Sequence, residues 1–229
     1  MLYFGSLLFL VMFLLLAVIT GFLHRSAKNS RNQAVKSLFL IFFFISCYSL
    51  ILGIFSMFGQ NYPYLAVFGY NLAVLLAFVS LYFITRIPTF SESDLAKKYA
   101  KYLKGTILTI GAFAMIIQLV DLRLPILGTK GIILWNQNPL ATWLTGVTIL
   151  GYMLIWSYLA YKNTSFISDK YQKLKLQALC FDALCIGISA FLFFPSQNEL
   201  QSLISFIIIV PAYVFTIYSI IMGRKINKV

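Results

Sequence analysis

Asp182 stands in the apolar run LQALCFDALCIGISA, with no other charged residue inside it. A lone carboxyl in such surroundings either keeps its proton or takes a partner. A polar residue is costly inside a membrane, so such an acid is a candidate titrating group of a transporter or ion pathway. Lys175 lies two turns earlier on the same helix face, so a structural ion pair is the competing reading. Asn71 and Gln118 sit in two other apolar runs, where an amide seeks a hydrogen-bonding partner on a neighbouring helix. Thr145, Thr148, Tyr152 and Trp156 fall on one side of a further run, spaced to line a cavity with an aromatic wall. Pro211, in IIIVPAYVF, frees a carbonyl that is tolerated only beside a partner or a cavity. Thr216, Tyr218 and Ser219 follow it at a depth comparable to Asp182. Asp121 stands beside Arg123 and reads as a solvated boundary charge. The candidate ligand- or ion-binding residues are Asp182, Asn71, Gln118, Thr145, Tyr152 and Trp156.

Other chemistries lack their residues. The single histidine, His24, excludes a bis-histidine haem and a zinc site built on several histidines. The last apolar run carries no lysine for a retinal Schiff base. No phosphate-cradling G-x-x-x-x-G-K-[ST] loop and no intramembrane Ser/His pair is present. Cys47, Cys180 and Cys185 are odd in number and read as small buried apolar residues. The expectation is a non-enzymatic protein that needs no cofactor.

The elements that position these residues follow from composition. Of 229 residues, 61% are apolar and only 10% charged, against about 25% charged in a soluble domain. Seven runs, at roughly 2–23, 37–58, 64–85, 105–121, 140–161, 176–194 and 201–222, approach or exceed the length that crosses hydrocarbon as a helix. The expected fold is an all-α polytopic bundle of seven transmembrane helices, one domain over 1–229. The first run has no basic segment before it and no cleavage site before His24-Arg25, so it reads as a true helix and not a signal peptide. Arg123 and Lys130 apart, the 18 basic residues all fall in the first, third and fifth connectors and the tail. The positive-inside bias then puts the N-terminus outside and the C-terminus in the cytoplasm. The net charge of +12 is spread over four short segments facing lipid headgroups, which argues against nucleic acid as a partner.

Two connectors have a pattern of their own. Residues 91–105, SESDLAKKYAKYLKG, place Leu95, Tyr99, Tyr102 and Leu103 on one stripe among lysines. This reads as an interfacial amphipathic helix running into the fourth span, or as a docking surface for a cytoplasmic partner. Residues 121–139, DLRLPILGTKGIILWNQNP, place two apolar runs around Gly128-Thr-Lys-Gly131, the pattern of a small hairpin forming an outer loop or lid. Trp135 and Trp143 are expected in the interfacial aromatic belt. Gln60-Asn61 and Gln197-Asn198 recur at the offset that separates Arg25 from Lys162. Spans one to three and five to seven would then form a 3+1+3 parallel repeat; chance spacing of seven short-looped helices is the alternative.

The stretch CYSLILGIFSMFGQNYPYLAVFGYNLAVLLAFVSLYFITR, the outside-in order and the loop ending in Trp135-Asn136 and Asn138-Pro139 resemble the N-terminal seven-helix sensory modules of bacterial histidine kinases. Only five residues follow Arg224, so the resemblance implies a stand-alone sensor or accessory subunit that acts through another chain. The 3+1+3 order is also similar to that of sugar transporters of the SWEET kind, whose Pro-Gln signature this sequence lacks. The leading expectation is a sensory or ligand-recognising module of the cytoplasmic (inner) membrane. Its partners would be the lipid bilayer, a partner membrane protein or a second copy, and a lipid, quinone or other small apolar ligand. A small-solute transporter or ion pathway using Asp182, and a structural subunit of a larger complex, are the alternatives.

Overall fold

The computed structural model describes residues 4–29, 33–59, 61–86, 94–128 and 131–226. Seven helices account for nearly all of them: α1 (Phe4–Asn29), α2 (Gln33–Ser56), α3 (Pro63–Ile84), α4 (Asp94–Val120), α5 (Pro139–Asn163), α6 (Lys170–Phe193) and α7 (Glu199–Ile226). All seven are long and apolar enough to cross a membrane. Helices suit that setting because every backbone hydrogen bond closes within the segment. Large apolar side chains such as Leu14, Phe68, Ile116 and Ile207 point outward, as a bundle surrounded by lipid requires. Proline at the first turn starts α3 and α5, where its missing N–H is no loss.

Each helix packs beside the next across a short connector, so successive helices run in opposite directions. Lysines and arginines in the helix ends and connectors of one side, among them Arg25, Lys36, Arg86, Lys104, Lys162 and Lys173, consequently share one end of the bundle. α1, α2 and α3 pack closely as one group, and α5, α6 and α7 as another. α4 lies more loosely between them, and α1 closes on α7. Small residues set the close approaches. A Cβ at Gly69 would collide with the Phe55 ring of α2, and one at Gly187 would come within 3.0 Å of the Met153 Cβ on α5. Ala73 and Ala77 continue the first of these stripes and are buried. Polar ties cross between helices: Ser56 Oγ to Ser6 Oγ (2.7 Å), Ser157 Oγ to the Cys180 carbonyl (3.0 Å) and Ser189 Oγ to the Ser205 carbonyl (3.0 Å).

Residues 91–93 lie outside the described residues. From Asp94 onward the basic segment and the fourth apolar run are one uninterrupted helix, with Tyr102 exposed and Leu103 partly buried. The opposite end of the bundle carries a short antiparallel ribbon, β1 (Ile126–Leu127) with β2 (Ile133–Leu134), in the register Ile126↔Leu134 and Leu127↔Ile133. Gly131, at φ +71°, takes the left-handed conformation that its turn requires. Its carbonyl accepts from Gly5 N at 3.2 Å, which ties the ribbon to the start of α1.

Trp135 departs from the expected aromatic belt. It is 5% exposed and packs its ring 5.1 Å from that of Tyr70, inside the hairpin end of the bundle. The ribbon turns inward because Ile132 and Ile133, just before it, are themselves buried against α1 and the α2–α3 turn. Trp143 remains half exposed, edge-on to Phe191.

Candidate functional site

α6 carries Asp182 to the middle of the bundle, where its side chain is 1% exposed. Neither carboxyl oxygen has a hydrogen-bond partner, so Lys175 does not pair with it. Thr216 of α7 is close enough to couple to the carboxyl, yet its own hydroxyl is also without a hydrogen bond. Tyr218, expected at similar depth, is 57% exposed and turned away from the core. The Ser219 side chain lies outside the described residues.

Asp182 borders a cavity of about 30 Å³ together with Trp156 of α5. The Trp156 indole N–H is buried without a partner. Toward the basic end this space is walled by Leu38, Ile41 and Phe42 of α2, Ile84 of α3 and Leu179 of α6. None of these offers a polar side-chain atom.

Toward the hairpin end a second cavity, of about 70 Å³, shares Ile45, Met153 and Ile186 with the first. Its lining includes hydroxyl groups from four helices: Tyr48 of α2, Ser80 of α3, Ser189 of α6, and Ser205 and Tyr213 of α7. The three serines spend their hydrogens on backbone carbonyls at 2.6–3.0 Å, which leaves lone pairs free to accept. Phe9, Phe193 and Phe206 close the rest in edge-to-face contacts. Tyr48 and Tyr70 both pack against Phe194, with ring centroids 6.4 Å apart in each pair. Tyr70 lies under Trp135 of the ribbon.

Of the six candidates, the structure brings Asp182 and Trp156 together at one cavity. Thr145 and Thr148 donate to carbonyls one turn back on their own helix, Ala141 (2.8 Å) and Leu144 (2.6 Å). The Tyr152 hydroxyl crosses to the Leu103 carbonyl at 2.8 Å and ties α5 to α4. Asn71 and Gln118 are buried toward the hairpin end. The Asn71 carbonyl oxygen and both Gln118 amide atoms lack partners there. None of these four candidates lines either of the two cavities at Asp182.

The sequence singles out neither Tyr48 nor Tyr213 as a site residue, and it places Trp135 in the aromatic belt. Tyrosine and tryptophan in apolar runs are read first as interfacial anchors, and only packing shows which ones turn inward. The position of Tyr213, one turn or less beyond Pro211, was the available signal.

Asp121 is built differently. Its Oδ2 accepts from Arg123 Nε (3.0 Å) and from Asn138 Nδ2 (2.7 Å), and Arg123 Nη2 stands 2.8 Å away. The Asn138 carbonyl oxygen in turn caps α5, accepting from Leu140 N (2.9 Å) and Ala141 N (3.3 Å). The Arg123 hydrogen bond, then that of Asn138, holds the Asp121 carboxyl below its ordinary value.

Among the described residues no group of three or more His, Cys, Asp and Glu side chains is placed to hold a metal. Comparison with protein-family models, with characterised proteins and with solved structures finds no match for this chain.

Proposed function

We propose that this chain is a non-enzymatic, multi-pass sensory module of the cytoplasmic membrane whose recognition site is the cavity at Asp182. The observation that carries the reading is a carboxyl without a hydrogen bond, 1% exposed, on a residue that lines a cavity inside the bundle. A merely structural acid would have a partner, because a buried polar group without one costs about 1–3 kcal/mol. The N-terminus lies outside and the basic end in the cytoplasm, as the distribution of Lys and Arg favours. The signal passes to a partner membrane protein at that basic end. The close packing of α1–α3 and of α5–α7 as separate groups supports the 3+1+3 repeat, with the cavity between the two units.

An ion pathway through Asp182 is the second reading, favoured by the hydroxyl-lined cavity on the hairpin side. The sensory reading ranks above it because the walls toward the basic end are aliphatic or phenyl side chains.

A sensor must couple its site to helix positions at the signalling end. Spin labels introduced at Lys36 of α2 and Gln172 of α6, both exposed near the basic end, report that separation in lipid nanodiscs. Asp182→Asn, which keeps the side-chain shape, is expected to shift the distance distribution. An unchanged distribution overturns the sensory reading.

A further inference from the structure

We propose that the species taken up at Asp182 is a proton, and that it reaches the carboxyl from the hairpin end only, along the cavity lined by Tyr48, Tyr213, Ser189 and Ser205. The proposal deepens the sensory reading above and rests on it.

Size comes first. The space at Asp182 is about 30 Å³ and the adjoining one about 70 Å³. A water needs roughly 10–15 Å³ of such volume, so the two hold a short file of waters. Neither a quinone ring nor an acyl chain fits without moving helices apart.

Chemistry narrows the occupant further. Asp182 and Trp156 both line the small cavity, and both Asp182 oxygens, the Trp156 N–H and the nearby Thr216 hydroxyl are buried without a hydrogen bond. One or two waters between indole N–H and carboxyl would satisfy these groups together. A bare metal cation is a poorer match, because the Trp156 N–H is a donor that opposes it and few oxygens face the space. An uncompensated carboxylate in apolar surroundings is costly. The neutral acid is the form these walls accept, and loss of its proton to a cavity water changes the local charge by one with no other ligand required.

The neighbours do not mask this change. α2 and α3 face the carboxyl with aliphatic and phenyl groups, α5 with Trp156, and α7 with Tyr213 and Thr216. Among the described residues the titratable groups close enough to feel its charge are Tyr213 and, on its own helix, Cys185.

The route follows from the asymmetry of the walls. Toward the hairpin end the adjoining cavity is lined by the hydroxyl-bearing side chains of Tyr48, Tyr213, Ser189 and Ser205. Toward the basic end Leu38, Ile41, Phe42 and Leu179 provide no group that can pass a proton. Asp182 thereby samples the acidity of one side of the membrane.

The test uses the full chain in sealed, uniformly oriented liposomes, with the carboxyl C=O stretch followed by infrared difference spectroscopy after a pH jump on one side. The wild type is expected to show a buried-carboxyl band that responds to a jump at the hairpin end and not at the basic end. Asp182→Asn abolishes the band. Tyr213→Phe keeps it and slows its response, a second variant that leaves the acid in place. Absence of a pH-dependent band assignable to Asp182 overturns the proton. A response from both ends overturns one-sided access and favours the ion pathway. If the spin-label distances shift in Asp182→Asn while no band titrates, the proton fails and the sensory reading stands with another occupant. If neither changes, the reading itself fails.

Discussion

Asp121 and Asp182 are the same side chain in two regions of one bundle, and they are treated in opposite ways. At the hairpin end, Asp121 is held by Arg123 and by Asn138, whose other amide atom caps α5. The Asn138 contact joins the end of α4 to the start of α5. In the middle of the bundle, Asp182 has no hydrogen bond, although Thr216 and Tyr213 stand near enough to interact with it. Paired, a carboxyl is part of the frame. Unpaired and buried, it lowers stability, and its retention needs a reason outside folding.

That contrast has consequences of opposite sign. The largest effect is expected from the frame: Trp135→Ala empties a site packed against Tyr70 and beneath the ribbon. Removing a buried Trp typically costs about 3–5 kcal/mol, and unfolding in nanodiscs should show a loss of that order. A negligible loss would mean that the ribbon does not hold the hairpin end together. Asp182→Leu should act the other way. It removes the unpaired carboxyl and fills adjoining empty space, so stability rises by about 1–3 kcal/mol while the spin-label distances shift as they do in Asp182→Asn. Destabilisation by Asp182→Leu would reveal a partner for the acid and erase the contrast. The smallest effect concerns Asp121. Its carboxyl is held below the ordinary 3.8, so its contribution is present above that value and is lost as pH falls through the lower folded value. The protection of the Leu140 and Ala141 amides, measured against their intrinsic exchange rates, should fall on acidification through that range in the wild type. In Asp121→Asn this acid-dependent step should be absent.

Much of the molecule was legible before any coordinates. The seven helices follow from apolar runs of sufficient length, a one-dimensional property. The inward-facing stripes of Gly69, Ala73 and Ala77 could be read because small residues permit close helix contact wherever they occur. Asp182 was conspicuous for a similar reason: a charge-bearing side chain in an apolar run is unusual in any arrangement. The other candidates were less determined. Thr145 and Tyr152 share a side of α5 by spacing, yet the first bonds to its own helix and the second to α4. Periodicity specifies the face of a helix and not what that face meets.

Sequence alone determined that this is a seven-helix bundle with its basic residues collected at one end and one conspicuous acid within an apolar span, because length, hydropathy and charge are local and additive along the chain. Only the tertiary structure decided that Asp182 has no partner, that Trp156 stands beside it, and that Tyr48 and Tyr213 approach from α2 and α7 while Trp135 turns inward over Tyr70. The physical reason is that pairing and cavities depend on helix rotation and on which helices become neighbours. Those follow from many weak contacts between distant parts of the chain, and no single segment encodes them.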